Sequence, residues 1–148
     1  MATKPISDGY ITSPYGWRKN PFNNKREFHA GIDISSHTPD APVVAAYDGV
    51  VSWIDSTHPV YDPKTGKGSF GNVVYVKRLS DGYYTTYPHL KNIDTALKIG
   101  LSVTEGMNIG IMGNTGYSKG AHLHFENRKT MGPGNSKDPK EISDLYSV

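Results

Sequence analysis

Residues able to hold a metal ion or move a proton gather in three short stretches of this 148-residue chain. In "KGAHLHFEN", His122 and His124 stand one residue apart with Leu123 and Phe125 interleaved. If Leu123 and Phe125 face a core, then His122, His124 and Glu126 share the opposite face of a strand, because side chains alternate. Two residues along a strand span about 6.6 Å, so both imidazoles can reach one small site. The same pattern also describes a polar strand face turned to water. In "FHAGIDIS", His29 and Asp33 stand four apart, and Gly31, Ile32 and Ile34 favour strand or turn over helix. On a straight strand that pair would be about 13 Å apart, too far to share an ion. Sharing one requires the chain to fold back at Ala30-Gly31, which Gly31 permits by its freedom to take positive φ. Otherwise His29 is a surface group and Asp33 a capping or turn residue. In "TTYPHL", Pro88 restrains the backbone and presents His89 rigidly, for structure or for chemistry.

Four of the six histidines and one aspartate thus occupy three separate strand-end motifs, in a chain with no cysteine. Any metal must be held by imidazole and carboxylate, and neither a disulfide framework nor a thiolate zinc site is available. The other two histidines, His37 in "SSHTPD" and His58 in "STHPVYD", read as loop surface residues; His58 could line a groove.

The elements that must position these groups are mostly strands. "APVVAAYDGVVSWID" runs in β-branched and small apolar residues to a turn signal at Asp48-Gly49 and then resumes. "GNVVYVKRLSDGYYTTYPHL" repeats the design around Ser80-Asp81-Gly82, and "GMNIGIMGNTG" is a third such piece punctuated by glycine. Ile93 to Ile99 reads as a short helical turn, and a last short element is expected near Ile142 to Leu145. Strands at close spacing with no long amphipathic helix predict a mainly β fold, a Gly-rich antiparallel sheet or sandwich. Ser56 to Gly71, rich in Pro, Gly and Lys, reads as a long loop of the kind that carries function. The tail from Arg128 reads as an irregular exit. With no repeat and no second composition, residues 1–148 are expected to form a single domain with one site.

Sixteen Lys and Arg against 14 Asp and Glu make the chain mildly basic, but the charges are scattered. That argues against a nucleic-acid partner and is compatible with a polyanionic surface such as a bacterial envelope. No apolar run approaches the roughly 20 residues of a membrane span, and "MATKPISDGY" lacks the apolar core of a signal peptide.

In order along the chain, "SPYGWRKNPFNNKREFHAGIDIS", "APVVAAYDGVV", "GN" at Gly71-Asn72, "YPHL" and "GNTGYSKGAHLHFE" together resemble the lysostaphin- or LytM-type zinc metalloendopeptidases. The resemblance covers about Ser13 to Glu126, with a weaker echo in "KDPKEISDL". It rests on H-x-x-x-D and H-x-H in this order with Tyr-x-His-Leu between them. It implies a long groove over one Zn2+ ion and cleavage of peptide bonds in bacterial peptidoglycan. Carried over by motif, His29, Asp33 and His124 would be the zinc ligands, and His89 and His122 the catalytic histidines. Two departures fall where groove walls are expected, the Ser56 to Gly71 loop and "SSHTPDAPV" in place of a Pro-Gly-Thr turn. Trp17, Tyr61, Tyr84 and Tyr87 are, as a group, candidate groove aromatics. The expected setting is the cell wall, reached as a monomeric phage lysin, a virion-associated enzyme or a domain of a longer protein. Two rival classes are a non-hydrolytic wall-binding or amidase-activating domain of the same fold, and a β-rich nucleic-acid or polysaccharide binder that needs no metal.

Overall fold

A computed structural model describes residues 2–20, 22–132 and 134–147. The strands in chain order are β1 (Tyr10–Ser13), β2 (Gly16–Lys19), β3 (Arg26–His29), β4 (Ile32–Ser35), β5 (Pro42–Val44), β6 (Gly49–Asp55) and β7 (Asn72–Arg78). They continue with β8 (Tyr84–Leu90), β9 (Asn92–Ile93), β10 (Ser102–Val103), β11 (Asn108–Ile111), β12 (Leu123–Arg128) and β13 (Ser136–Lys137), before one short helix, α1 (Lys140–Leu145). The main sheet runs β1-β4-β12-β8-β7-β6-β10, with β13 also on β12. A three-stranded sheet, β5-β11-β9, and the β2-β3 hairpin complete the architecture. Every pairing is antiparallel, as the mainly β reading expects.

The apolar faces of these strands meet in one cluster that includes Ile32, Ile34, Val74, Val76, Tyr87, Leu90, Leu123 and Phe125, all essentially inaccessible to water. β12 is the strand that matters most for the site, because it changes partner halfway. Leu123 to Phe125 pair with β4, and Glu126 to Arg128 pair with β8. Leu123 and Phe125 plug the core, so the intervening side chains turn outward together.

Two local expectations fail. Asp48-Gly49 does not close a hairpin: β5 pairs with β11 while β6 pairs with β7 and β10, so the bend passes the chain from one sheet to another. Ile93 to Ile99 contains no helix, since Ile93 belongs to β9 and Leu97 is pinned by a tight turn from its N–H to the Asp94 carbonyl. By contrast β7 and β8 form the hairpin expected around Asp81-Gly82, and α1 lies where the final element was placed. The Ser56 to Gly71 connection is present as a long loop between β6 and β7. It is tied down by Gly116 N–H to the Pro59 carbonyl, Tyr117 N–H to Ser69, and His89 N–H to Phe70.

Candidate metal centre

The β4-β12 register sets Asp33 directly opposite His124, which puts their side chains side by side on one face of the sheet. His29 closes the preceding hairpin and reaches the same point because the chain breaks between β3 and β4 at Ala30-Gly31. Gly31 is needed there for a reason other than the one expected. Its φ is not positive; instead the chain passes so close to β12 that a Cβ would overlap the Phe125 carbonyl oxygen. His89, next to last in β8, has φ +61°, a left-handed conformation uncommon for residues other than glycine, and its backbone N–H is held by the Phe70 carbonyl at 2.7 Å. Strain of this kind persists where surrounding structure imposes it, commonly at functional sites.

All five expected site residues come together. Asp33 Oδ1 lies 3.2 Å from His29 Nε2 and 2.9 Å from His124 Nδ1, and those two nitrogens are 3.1 Å apart. His122 Nε2 stands 3.6 Å from the same carboxylate oxygen, and the His89 and His122 rings are 5.0 Å apart. All of these but the buried His29 line a cleft of about 460 Å³ whose other walls include Arg18, Asn20, Phe22, Glu27, Phe70 and Tyr117.

Tautomers follow from the partners on the far side of each ring, because a carbonyl or carboxylate oxygen can only accept. His29 Nδ1 donates to the Pro14 carbonyl at 2.8 Å, His89 Nδ1 to Thr115 at 2.7 Å, and His122 Nδ1 to Gly120 at 2.7 Å. His124 is anchored the other way round, through Nε2 to Glu126 at 2.8 Å. In their neutral forms His29, His122 and His124 therefore turn an unprotonated nitrogen towards Asp33, while the His89 ring lies beside those of His122 and His124. His29 Nε2, Asp33 Oδ1 and His124 Nδ1 are three lone-pair atoms in mutual contact, and only a cation or an added proton can sit among them. A tetrahedral ion with ligand bonds of about 2.0–2.2 Å spaces its ligands by roughly 3.3–3.5 Å, so the cluster need open by only a few tenths of an ångström. Two nitrogens and one carboxylate oxygen also match the three-ligand set of catalytic zinc sites. The hydrogen-bonded network around them carries three carboxylates, Glu27, Asp33 and Glu126, against two guanidiniums, Arg18 and Arg128. That excess of negative charge favours a cation further.

Without an ion, a proton takes its place. Burial alone would discourage an imidazolium at His124, but hydrogen bonds to Asp33 and Glu126 outweigh it and raise its pKa to about 9. At Asp33 burial likewise opposes charge, yet the His124 and His29 imidazoles hold its carboxyl well below the usual range. His89 moves down to about 3, chiefly by burial and then by the neighbouring His122 and His124; burial also lowers His122. Each shift couples folding to pH. His124, raised in the folded state, contributes fully below an unfolded pKa of roughly 6.5 and loses that contribution as pH rises through 9. His89, lowered in the folded state, costs stability as pH falls from roughly 6.5 towards 3, and the depressed carboxyl of Asp33 adds to the loss below roughly pH 4. Metal-free protein is thus expected to be most stable near roughly pH 6.5 and weaker on both sides. Urea midpoints of chelator-treated protein across that range check this, and a midpoint that climbs steadily from neutral to alkaline pH contradicts it.

Several supporting residues went unread in the sequence. Arg18 Nη1 donates to Asp33 Oδ2 at 3.2 Å and to Ser13, while its Nε is paired with Glu27 at 3.0 Å. Phe70 covers the His124 ring at 6.0 Å between centroids. Of the candidate groove aromatics, none lines the cleft: Tyr87 is fully buried, its hydroxyl accepting from the Ala46 N–H, and Trp17 projects into water. Phe22, Phe70 and Tyr117 take that place, and Tyr61 touches the cleft only through Tyr117, at 4.7 Å. His37 and His58 are exposed loop residues, His37 stacked on Tyr10 and His58 bonded to Asp55.

Known proteins resemble this chain in sequence and fold. A curated relative, the DD-carboxypeptidase/endopeptidase Mpg of Neisseria meningitidis, is 34% identical over 125 residues, covering 84% of this chain and 26% of its own length. A zinc-containing peptidase from Vibrio cholerae, also 34% identical, superposes with a TM-score of 0.61 over 79% of this chain and 32% of that one. The catalytic domain of lysostaphin from Staphylococcus simulans, 24% identical, has the same fold, with a TM-score of 0.76 over 97% of this chain and 99% of that domain. The chain spans only about a quarter of the curated relatives' length. Residues 27–139, which include every group of the cluster, match the model of peptidase family M23, and the chain belongs to that family.

Proposed function

We propose that the protein is a zinc-dependent endopeptidase that cleaves peptide cross-links or stem peptides of bacterial peptidoglycan. One observation carries this reading: three histidines, His29, His122 and His124, each tied back through one ring nitrogen, bring the other nitrogen within 3.6 Å of Asp33 Oδ1, and a fourth, His89, tied back in the same way, stands beside His122. His29, Asp33 and His124 would hold the ion. When bound, zinc supplies a Lewis acid for the scissile carbonyl and brings the pKa of water from about 15.7 towards 7.

The chain's own work falls to His89 and His122. Burial keeps both imidazoles neutral near pH 7, so their Nε2 lone pairs are available to accept a proton from the attacking water. The Thr115 and Gly120 carbonyls stop the rings from turning away. Once protonated, either ring can donate to the oxyanion or return the proton to the leaving amine, with Asp33 close enough to stabilise the transient charge. The walls of the cleft can serve a peptide: Arg18, Asn20 and Glu27 offer polar contacts, and Phe22, Phe70 and Tyr117 offer apolar ones.

Peptidoglycan is the favoured substrate because relatives at 34% identity are named as peptidoglycan DD-endopeptidases. The protein would then act outside the cytoplasmic membrane, in the periplasm, outside the cell or on a virion. Among the described residues no helix is long and apolar enough to cross a membrane. Incubation with purified peptidoglycans of several cross-bridge types, with and without a chelator, followed by mass analysis of the released fragments, tests the reading. The expected result is chelator-sensitive release of peptide fragments from at least one of them. No such release from any leaves the wall-binding alternative in its place.

A further inference from the structure

After His124, the next residues on the same face of β12 are Glu126 and Arg128, two and four positions on. The three side chains form a chain of contacts. His124 Nε2 donates to Glu126 Oε2 at 2.8 Å, and Arg128 Nε donates to Glu126 Oε1 at 2.7 Å. Arg128 is fixed in turn by Nη1 to the Met131 carbonyl at 2.9 Å, and its guanidinium lies 5.2 Å from the centre of the Phe70 ring. Glu126 and Arg128 are only 3% and 7% exposed. Burying such a pair costs several kcal/mol per ion before their attraction is counted, so it is weak evidence for stability alone. A pair needed only to staple β12 would not require a carboxylate oxygen on the imidazole as well.

We propose that Glu126, held in place by Arg128, is the positioning residue of the metal centre: it locks the His124 ring so that Nδ1 faces His29 and Asp33. The proposal rests on the reading of this cluster as a zinc site. Glu126 acts in two ways. As an acceptor on Nε2 it removes the alternative tautomer, in which a proton on Nδ1 would block the ion. As an anion it makes the imidazole a better donor, the effect that carboxylates behind metal-bound histidines commonly have. Arg128 prevents the carboxylate from swinging to meet the ion itself.

The test compares wild type, Glu126→Gln and Glu126→Ala for zinc affinity by chelator competition, for metal-free urea midpoint, and for the His124 ring N–H by nitrogen-15 NMR. Glu126→Ala is expected to bind zinc about 10–100-fold more weakly. Glu126→Gln, which keeps an acceptor but not the charge, should recover part of that loss. In zinc-loaded wild type, His124 Nε2 should carry a proton protected from exchange with water, a measurement that needs no variant to fold. A purely structural pair predicts lower midpoints with unchanged zinc affinity, and that result overturns the proposal. So does a His124 Nε2 proton in fast exchange. If wild type takes up no zinc, the metal reading itself fails, and this is distinguished by the wild-type titration alone.

Discussion

Replacing His124 with alanine is expected to empty the proposed zinc site and stop turnover while the fold survives. The fold should persist because the residues on either side carry β12: Leu123 and Phe125 are fully buried and pair with β4. Neither charged neighbour is orphaned, since Glu126 keeps Arg128 and Asp33 keeps Arg18. The space left by the imidazole opens into the cleft and can fill with water, so the cost of a closed cavity does not arise. The loss of metal should be large. Structural four-ligand sites bind zinc with roughly 10–16 kcal/mol, or about 2.5–4 kcal/mol per ligand, which is roughly 60- to 700-fold in affinity. Metal analysis after dialysis, with circular dichroism as the control for folding, reads the result. The sharp comparison is His122→Ala, which should retain one zinc. If His122→Ala empties the site and His124→Ala does not, the two roles are exchanged.

That difference between two histidines one residue apart was only partly legible beforehand. Alternation along "HLHFE" correctly predicts that Leu123 and Phe125 enter the core and that His122, His124 and Glu126 face out together. It does not separate the two histidines, because the distinction comes from β4: register places Asp33 across from His124, 2.9 Å from its Nδ1, while His122 lies 3.6 Å away at the strand's entry. The tautomers were illegible too, being set for His29 and His89 by the carbonyls of Pro14 and Thr115, which are remote in sequence, and for His122 and His124 by Gly120 and Glu126, which are two residues away but brought to the ring by the local fold. Short-range turn chemistry succeeded where both strands of a hairpin lay beside the turn, as at Asp81-Gly82, and failed at Asp48-Gly49, where the partner strands come from elsewhere in the chain. Aromatic residues misled by type: Tyr87 alternates into the core, and the cleft takes Phe22, Phe70 and Tyr117 from loops with no periodicity to read.

The second large effect is expected at His89 and His122, the two histidines proposed to act on the proton rather than to hold the ion. His122→Ala and His89→Asn should each lower turnover by roughly 10²–10⁴-fold, the range for losing one positioned acid or base, with one zinc retained. Asparagine is chosen at position 89 because the backbone there has φ +61°, which Asn tolerates and most other residues do not. It therefore removes the imidazole without adding strain that would blur the result. KM should change little, because both rings, although they line the cleft, are proposed to act on the proton in transit, while Arg18, Asn20, Phe22, Glu27, Phe70 and Tyr117 remain to grip the peptide. The two rings stand 5.0 Å apart and line the same cleft, so they are suited to serve a single water and its proton. If they do, the double variant will be scarcely slower than the worse single one, since a proton relay broken at one end gains nothing from its other end. Fully additive losses would instead assign the histidines to separate steps, one to the attacking water and the other to the leaving amine. Loss of zinc from both single variants would show that they are ligands, and the division of labour proposed for this cluster would fall.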